Sequence, residues 1–392
     1  MKLKEVRAEI VRDSRGEKTI LVRVNGQVTS APSGKSTGKY EKKCYRHGIE
    51  HDVSSINNMD FNREINKFED LIFLEKYVKK NIGANTLFAL EASVLKALAA
   101  EKNLELYEYL NPKLKKEKGK GGIKFPRIIS NTIGGGAHTN VEGKKPEFQE
   151  FLITCNKNPY QAKEINNKAY YETSKIIETL TGKQALKNDE NALAASLGVE
   201  QAFEIIKDVQ ENIFDETKTH LDVGVDVAAS QFFDGKNYIY KSSGRKLSRQ
   251  EQIDYIVELS EKYNLFYIED PLEEEDFLGF SELVRKCNCL IVGDDLTVTN
   301  LERVKEAIKK KAINAMIIKP NQIGSLLEVR EVIELCKKNK IATIISHRSG
   351  ETLDNSIADL GVAFEFDFIK IPVIGKERLA KVNRLEEIEK KF

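Results

Sequence analysis

Short apolar runs, each closed by a polar or charged residue, recur down the last two thirds of this chain. They read FPRIIS, FLITC, DVGVDVAAS, LFYIED, CLIVGDD, NAMIIKP, ATIISH and FDFIKIP, and amphipathic helical stretches separate the later ones. An apolar run followed by a helical pattern marks a βα unit, and repeated units build a parallel sheet. Such a sheet is either open and doubly wound or closed into a barrel, and spacing decides between them. Six of the runs end at Asp226, Glu269, Asp294, Lys319, His347 and Lys370, at intervals of 43, 25, 25, 28 and 23 residues. A (β/α)8 barrel of roughly 250 residues allots about 30 to each unit, which the later intervals match. The long first interval holds FFDGKNYIYKSSGRKLS, which reads as an inserted hairpin. Residues 121–392 number 272, enough for one barrel.

The region before the runs has a different pattern. Glu17 to Val28 is rich in β-branched residues and is broken by Asn25-Gly26, a hairpin signal. Further on, Leu87, Leu90, Val94 and Leu98 are spaced 3, 4 and 4, one face of a helix that Asn85 can cap. Lys113 to Gly122 is polar and glycine-bearing and reads as a solvated linker. The expected division is therefore residues 1–120 and 121–392.

Charge excludes some partners. The 62 Lys and Arg balance 61 Asp and Glu for a net charge of +1, without the basic surplus of a nucleic-acid or membrane-surface binder. No apolar run reaches the ~18 residues of a membrane span, and the first residues carry no signal-peptide core. The five cysteines are scattered, and Cys287-Asn288-Cys289 is too tight for a paired zinc knuckle. Reduced thiols in a cytoplasmic protein are expected.

In a barrel, side chains at the C-terminal ends of the strands converge on one mouth, where active sites form. Asp226, Glu269 and Asp294 end successive units and offer only hard oxygen donors, a set suited to Mg²⁺ and not to zinc. Any one of them could instead cap a helix or pair with a lysine. Three in a row, with Lys319 ending the next unit, point to a metal site. A lysine beside that cation and beside Lys370 has its pKa lowered towards that of a usable base. His347-Arg348-Ser349-Gly350 supplies an arginine fork, a hydroxyl and a glycine at a strand end, a compact phosphate site.

Two glycine-rich segments do not fit nucleotide motifs. Ser33-Gly34-Lys35-Ser36-Thr37 looks like the end of a phosphate loop, but Thr29 stands where that motif needs glycine. A loop whose hydroxyls reach a metal or phosphate fits better. Gly134 to His138 does not match the dinucleotide fingerprint.

These residues, with others, resemble the enolase (phosphopyruvate hydratase) family over essentially the whole chain. The matching segments are DSRG at 13–16, SGKSTG at 33–38, IGAN at 82–85, GGAH at 135–138 and QEF at 149–151. They continue with DVAAS at 226–230, IEDP at 268–271, GDDLTVTN at 293–300, NQIGS at 321–325, SHRSGET at 346–352 and ERLAK at 377–381. The resemblance implies an α/β fold: a modified TIM barrel of the ββαα(βα)6 kind with a smaller α+β N-terminal domain. It implies reversible Mg²⁺-dependent dehydration of 2-phosphoglycerate to phosphoenolpyruvate. Asp226, Glu269 and Asp294 would hold one Mg²⁺, and Ser36 would close over a second that arrives with substrate. Lys319 would be the base and Glu190 the acid, with Glu150 beside it and its pKa raised by that neighbour or by burial. His138 and Gln149 would contact substrate. Arg348 and Ser349 would hold its phosphate and Lys370 its carboxylate, and His347 would lie near the leaving hydroxyl. A homo-oligomer, a dimer or larger, is implied as well.

The chain departs from the family in its loops. The acid loop reads Asn188-Asp189-Glu190-Asn191-Ala192 where the family has roughly GDEGG. Lys35 replaces a small residue beside Ser36, the stretch from His138 to Glu150 is long, Ile371-Pro372 follow Lys370, and Gln231 stands where glutamate is common. These departures keep a second reading open: an enolase-like paralogue that is another Mg²⁺-dependent lyase or a non-catalytic binding protein.

Overall fold

The computed structural model describes every residue except Ser36, Thr37, Lys118, Lys120 and Gly121. The expected position of Ser36 and the division between residues 120 and 121 therefore lie outside the described residues.

The chain opens with an antiparallel meander of β1 (Val6–Arg12), β2 (Lys18–Val24) and β3 (Gln27–Ser30). The β2–β3 turn is Asn25-Gly26, with φ of 47° and 85°. Both residues are left-handed, the backbone a two-residue hairpin needs, and Asn and Gly tolerate it best. Helix Ala84–Glu101 packs on this meander. Its expected face of Leu87, Leu90, Val94 and Leu98 is buried, but so are Ala89, Glu91, Ala92, Ser93 and Ala97. The helix lies between two layers: the Ser93 hydroxyl donates to Val22 O at 2.8 Å, and Glu91 accepts the Leu326 N–H at 2.7 Å. Asn85 is not the cap. Gly83 occupies that position, and the Asn85 side-chain oxygen accepts from Asn321 at 3.0 Å. The expected linker is not solvated throughout, since Leu114–Glu117 forms a helical turn with Leu114 buried.

The barrel consists of β4 (Arg127–Gly134), β5 (Glu150–Thr154), β8 (Asp222–Asp226), β11 (Tyr267–Glu269), β12 (Leu290–Gly293), β13 (Ala315–Ile318), β14 (Ala342–Ser346) and β15 (Phe368–Lys370). Pairing runs β4-β5-β8-β11-β12-β13-β14-β15, and β15 closes on β4. Between them lie a short ladder of β6 (Leu186–Lys187) and β7 (Leu193–Ala194), and the inserted hairpin of β9 (Tyr238–Tyr240) and β10 (Arg245–Leu247). β5 runs antiparallel to both of its neighbours. Helices Pro159–Thr181 and Val199–Thr217 separate β5 from β8, which makes the order ββαα(βα)6. Ile129, Leu152, Tyr267, Val292, Ala315, Ile317, Ile344 and Phe368 pack together in the interior, contributed by seven of the eight strands and closing the barrel as a core, not a pore. Ile344 and Ile317 fill the level below the residues that end the strands.

Candidate active site

Strand direction decides which residues reach the mouth. Asp226, Glu269 and Lys370 are the last residues of their strands, and Asp294, Lys319 and His347 follow directly on β12, β13 and β14. Because β5 is antiparallel, its first residue is the one at the mouth. Glu150 therefore sits opposite Asp226, which in turn sits opposite Glu269. His138 ends the short turn after β4, and Gln149 immediately precedes β5. Glu190 lies in the β6–β7 turn. Glu41, His138, Gln149, Glu150, Glu190, Asp226, Asp294, Lys319, His347, Arg348, Ser349 and Lys370 line one narrow cavity. Glu269, fully buried, lies against it through Lys370. A larger groove between residues 136–147 and the β9–β10 hairpin contains none of the candidate residues.

The charges fall into linked groups. The Lys370 ammonium donates to Glu269 at 2.7 Å and to Asp226 at 3.2 Å and pairs with Glu150. Lys319 donates to Asp294 at 2.5 Å. The expected three-acid set is thus divided. Glu150, Asp226 and Glu269 present oxygens within 4.8 Å of one another, while Asp294 groups with Asp270 and Asp295. Glu150 completes a carboxylate trio because strand register sets it level with Asp226. One oxygen each of Glu269 and Asp294 is buried without a hydrogen-bond partner. Buried carboxylate oxygens are rarely left unpaired, so these orphans, in an all-oxygen donor set, fit a hard divalent cation.

Four supporting residues escaped the sequence reading. Tyr267 donates to Glu269 at 2.5 Å, and Asn131 donates to Glu150 at 2.8 Å. Asp270 accepts the N–H groups of Asp294 (3.0 Å) and Asp295 (2.7 Å), fixing the backbone that carries Asp294. Glu41 grips Arg348. The adjacent acids in IEDP and GDD were the one signal for Asp270. The others had none, since each comes from a distant segment or an inner strand position.

The protonation pattern follows from this geometry. Burial, with the charge of Asp226, pushes Glu269 up to about 8. Burial raises Glu150 well above the usual carboxylate range despite Lys370, and the charge of Glu190 adds to it. Glu190 goes the other way: burial opposes its ionisation, but the His138 ring, with Nδ1 3.2 Å from Oε1, holds it well below. The expectation of a raised Glu190 is therefore corrected, since the retained proton sits on its neighbour. The two acids lie together beside His347, and among the described residues one Glu190 oxygen has no hydrogen-bond partner. Two acids this close lose their protons in linked steps. Burial holds His347 well below its ordinary value, so the ring is neutral. Burial alone would lower Lys319, yet Asp294 overrides it and holds the ammonium above the ordinary lysine value. The nearest partner of the ammonium among the described residues is the Asp294 carboxylate.

The altered loops are held in place. Asn191 takes the left-handed φ of 64° that glycine would favour, and asparagine tolerates it. The Asn188 side chain accepts the N–H groups of Glu190 (2.9 Å) and Ala192 (3.0 Å) and so shapes the turn. Lys35 reaches Asp189 at 2.6 Å, and its N–H donates to the Ser349 hydroxyl at 2.7 Å. Gln231 donates to the Gln149 oxygen at 2.6 Å, and Gln149 donates to Asp226 at 3.2 Å. Motifs without a site role hold the rim together. Arg15 binds Asp13 (3.0 Å) and Ser33 (2.9 Å) and donates to Ser349, while buried Arg378 donates to Ser349 O at 2.9 Å.

A closed barrel whose mouth gathers carboxylates, two lysines and an arginine defines an acid–base enzyme of the barrel class. Residues 3–110 match the family model "Enolase, N-terminal domain", and residues 123–392 match "Enolase, C-terminal TIM barrel domain". Similar proteins include the enolase of Archaeoglobus fulgidus, 38% identical across 99% of this chain and 97% of that protein. The enolase of Methanocorpusculum labreanum is 37% identical across 100% of this chain and 99% of its own length, and that of Picrophilus torridus is 36% identical over the same shares. The chain belongs to the enolase family.

Proposed function

We propose that this protein dehydrates 2-phosphoglycerate reversibly to phosphoenolpyruvate and water. One observation, beyond family membership, carries the reading: the mouth keeps a base and an acid pair at separate places. Among the described residues the Lys319 ammonium donates to Asp294 alone, whereas Glu150 and Glu190 stand together beside neutral His347, with burial favouring a retained proton on Glu150. Elimination across C2–C3 needs both.

Arg348 and Ser349 take the phosphate and Lys370 the carboxylate, while His138 and Gln149 orient the chain of the substrate. Lys319 Nζ removes the C2 proton, and the electron pair moves into the C1–C2 unit as charge on the carboxylate, which Lys370 meets directly. That pair then forms the C2–C3 double bond as the C3–O bond breaks. The proton of the Glu150–Glu190 pair goes to the leaving oxygen, with His347 beside it, so that water departs. Asp226, Glu269 and Asp294 are the residues that would hold Mg²⁺, which would supply positive charge for the developing carboxylate and favour the neutral form of Lys319, the form that can take a proton. A lysine base working with one or two Mg²⁺ ions is the established pattern of this superfamily. A second Mg²⁺ arriving with substrate belongs to the same reading, as do the division at residues 120 and 121 and a cytoplasmic location. The five free thiols support that location. Among the described residues no helix is long and apolar enough to cross a membrane.

The test is the rise of phosphoenolpyruvate absorbance from 2-phosphoglycerate with Mg²⁺ present. Turnover supports the reading. Failure of the metal-loaded protein to turn over overturns it in favour of a paralogue with another substrate.

A further inference from the structure

Arg348 is not free in the mouth. Its Nη1 donates to Glu41 at 3.2 Å and to the Asn321 side-chain oxygen at 3.3 Å, and its Nη2 donates to both Glu41 oxygens at 3.1 Å. Only 3% of the Arg348 side chain and 6% of that of Glu41 are exposed, so this is not a loose surface pair. Glu41 is itself fixed. It accepts from Gly38 N–H at 3.2 Å and from Gln322 Nε2 at 3.3 Å. The segment around it is tied to the barrel: Lys42 N–H donates to Gln322 O at 3.0 Å, Tyr40 donates to Glu275 at 2.6 Å, and Arg303 lies over the Tyr40 ring at 4.0 Å.

A guanidinium has five N–H donors in a rigid planar fork. Glu41 and Asn321 take both Nη1 protons and one Nη2 proton. The remaining Nη2 proton and the Nε proton share an edge and have no partner among the described residues. Two parallel donors on one edge match two oxygens of a phosphate.

We propose that Glu41 is a positioning residue for phosphate recognition: it grips one edge of Arg348 so that the other edge stands ready as a two-donor cradle. This rests on the reading of Arg348 as the phosphate ligand. The carboxylate comes from the N-terminal region and the arginine from the barrel, so recognition of the anion requires both parts of the chain.

The experiment compares the wild-type protein with Glu41→Gln and Glu41→Asp. The glutamine variant keeps the shape but loses one acceptor and the charge that hold the fork; aspartate keeps the charge with a shorter reach. For 2-phosphoglycerate, Glu41→Gln raises KM about tenfold while kcat stays within about threefold, because a bidentate contact to the non-reacting phosphate is lost. Glu41→Asp falls between. Inorganic phosphate, titrated by calorimetry without substrate, binds about tenfold more weakly to Glu41→Gln. A thermal melt establishes that each variant is folded, and a purely structural role would lower kcat and melting temperature together. The proposal is overturned if Glu41→Gln leaves KM and phosphate affinity unchanged, or if it tightens them, since the carboxylate would then be a competitor for Arg348. It is also overturned if the wild-type protein does not bind phosphate. Because the titration needs no turnover, phosphate binding that weakens in Glu41→Gln supports the cradle even if 2-phosphoglycerate is not the substrate.

Discussion

Among the described residues the Lys319 ammonium is held by one carboxylate, Asp294, at 2.5 Å. Replacing it with alanine removes the base but leaves Asp226 and Glu269 in place. The expected result for Lys319→Ala is a fall in kcat of about 10³-fold to 10⁴-fold, the range of general base catalysis. Calorimetry should show Mg²⁺ still bound. Gln231 acts one step removed, orienting Gln149 through a 2.6 Å hydrogen bond. For Gln231→Ala the expected loss in kcat/KM is about tenfold, the scale of an outer hydrogen bond that aligns a site residue, measured in the same assay. Among single residues, the positions at or just past the end of a parallel strand were legible in the sequence, as with Asp226, Glu269, Lys319 and Lys370. Protonation was not legible. Whether Glu150 or Glu190 keeps the proton depends on where the His138 ring lies, and spacing along the chain carries no such information.

At the level of strands and helices, the one reversed strand accounts for what strand-end reasoning missed. Parallel strands deliver their last residues to the mouth, whereas β5 delivers Glu150, its first. Helix Ala84–Glu101 carries another feature hidden in the sequence. Its buried Glu91 meets Glu75, with Glu328 and Lys79 near by, where the helix packs against the barrel at Leu326. Burial, then the charge of Glu75, raises Glu91 well above the usual carboxylate range. A carboxyl raised on folding favours the folded state fully below its unfolded pKa, and that advantage is lost as pH rises through the folded value. Glu91→Gln should therefore raise the melting temperature at pH 8 to 9 and change it little near pH 4. An equal shift at both pH values would show that titration of Glu91 does not contribute. The Lys35–Asp189 pair is a weaker contact, since both side chains are 37% exposed. Removing it with Lys35→Ser should cost no more than about 1 kcal/mol by denaturant titration.

For the chain as a whole, a net charge of +1 conceals an uneven distribution. Carboxylates outnumber the basic groups in the mouth, and Lys370 occupies the centre of the Glu150–Asp226–Glu269 trio. Binding of a divalent cation to the native mouth stabilises the fold by mass action, about 2.7 kcal/mol at a hundredfold excess over Kd. Addition of Mg²⁺ should raise the melting temperature, and a chelator should reverse the rise. Barrel closure was legible from interval lengths because each βα unit must span the same height. The grip of Glu41 on Arg348 was not, because the residues stand 307 apart and meet only after both parts have folded together.

Elimination of water from 2-phosphoglycerate at this mouth stands or falls with Lys319 as the base. The decisive experiment follows phosphoenolpyruvate absorbance for wild-type and Lys319→Ala proteins, each with Mg²⁺ binding measured on the same sample. Turnover by the wild-type protein, its near-complete loss in the variant, and metal bound in both are expected. A variant that retains turnover, or a metal-loaded wild-type protein that shows none, would refute that chemistry.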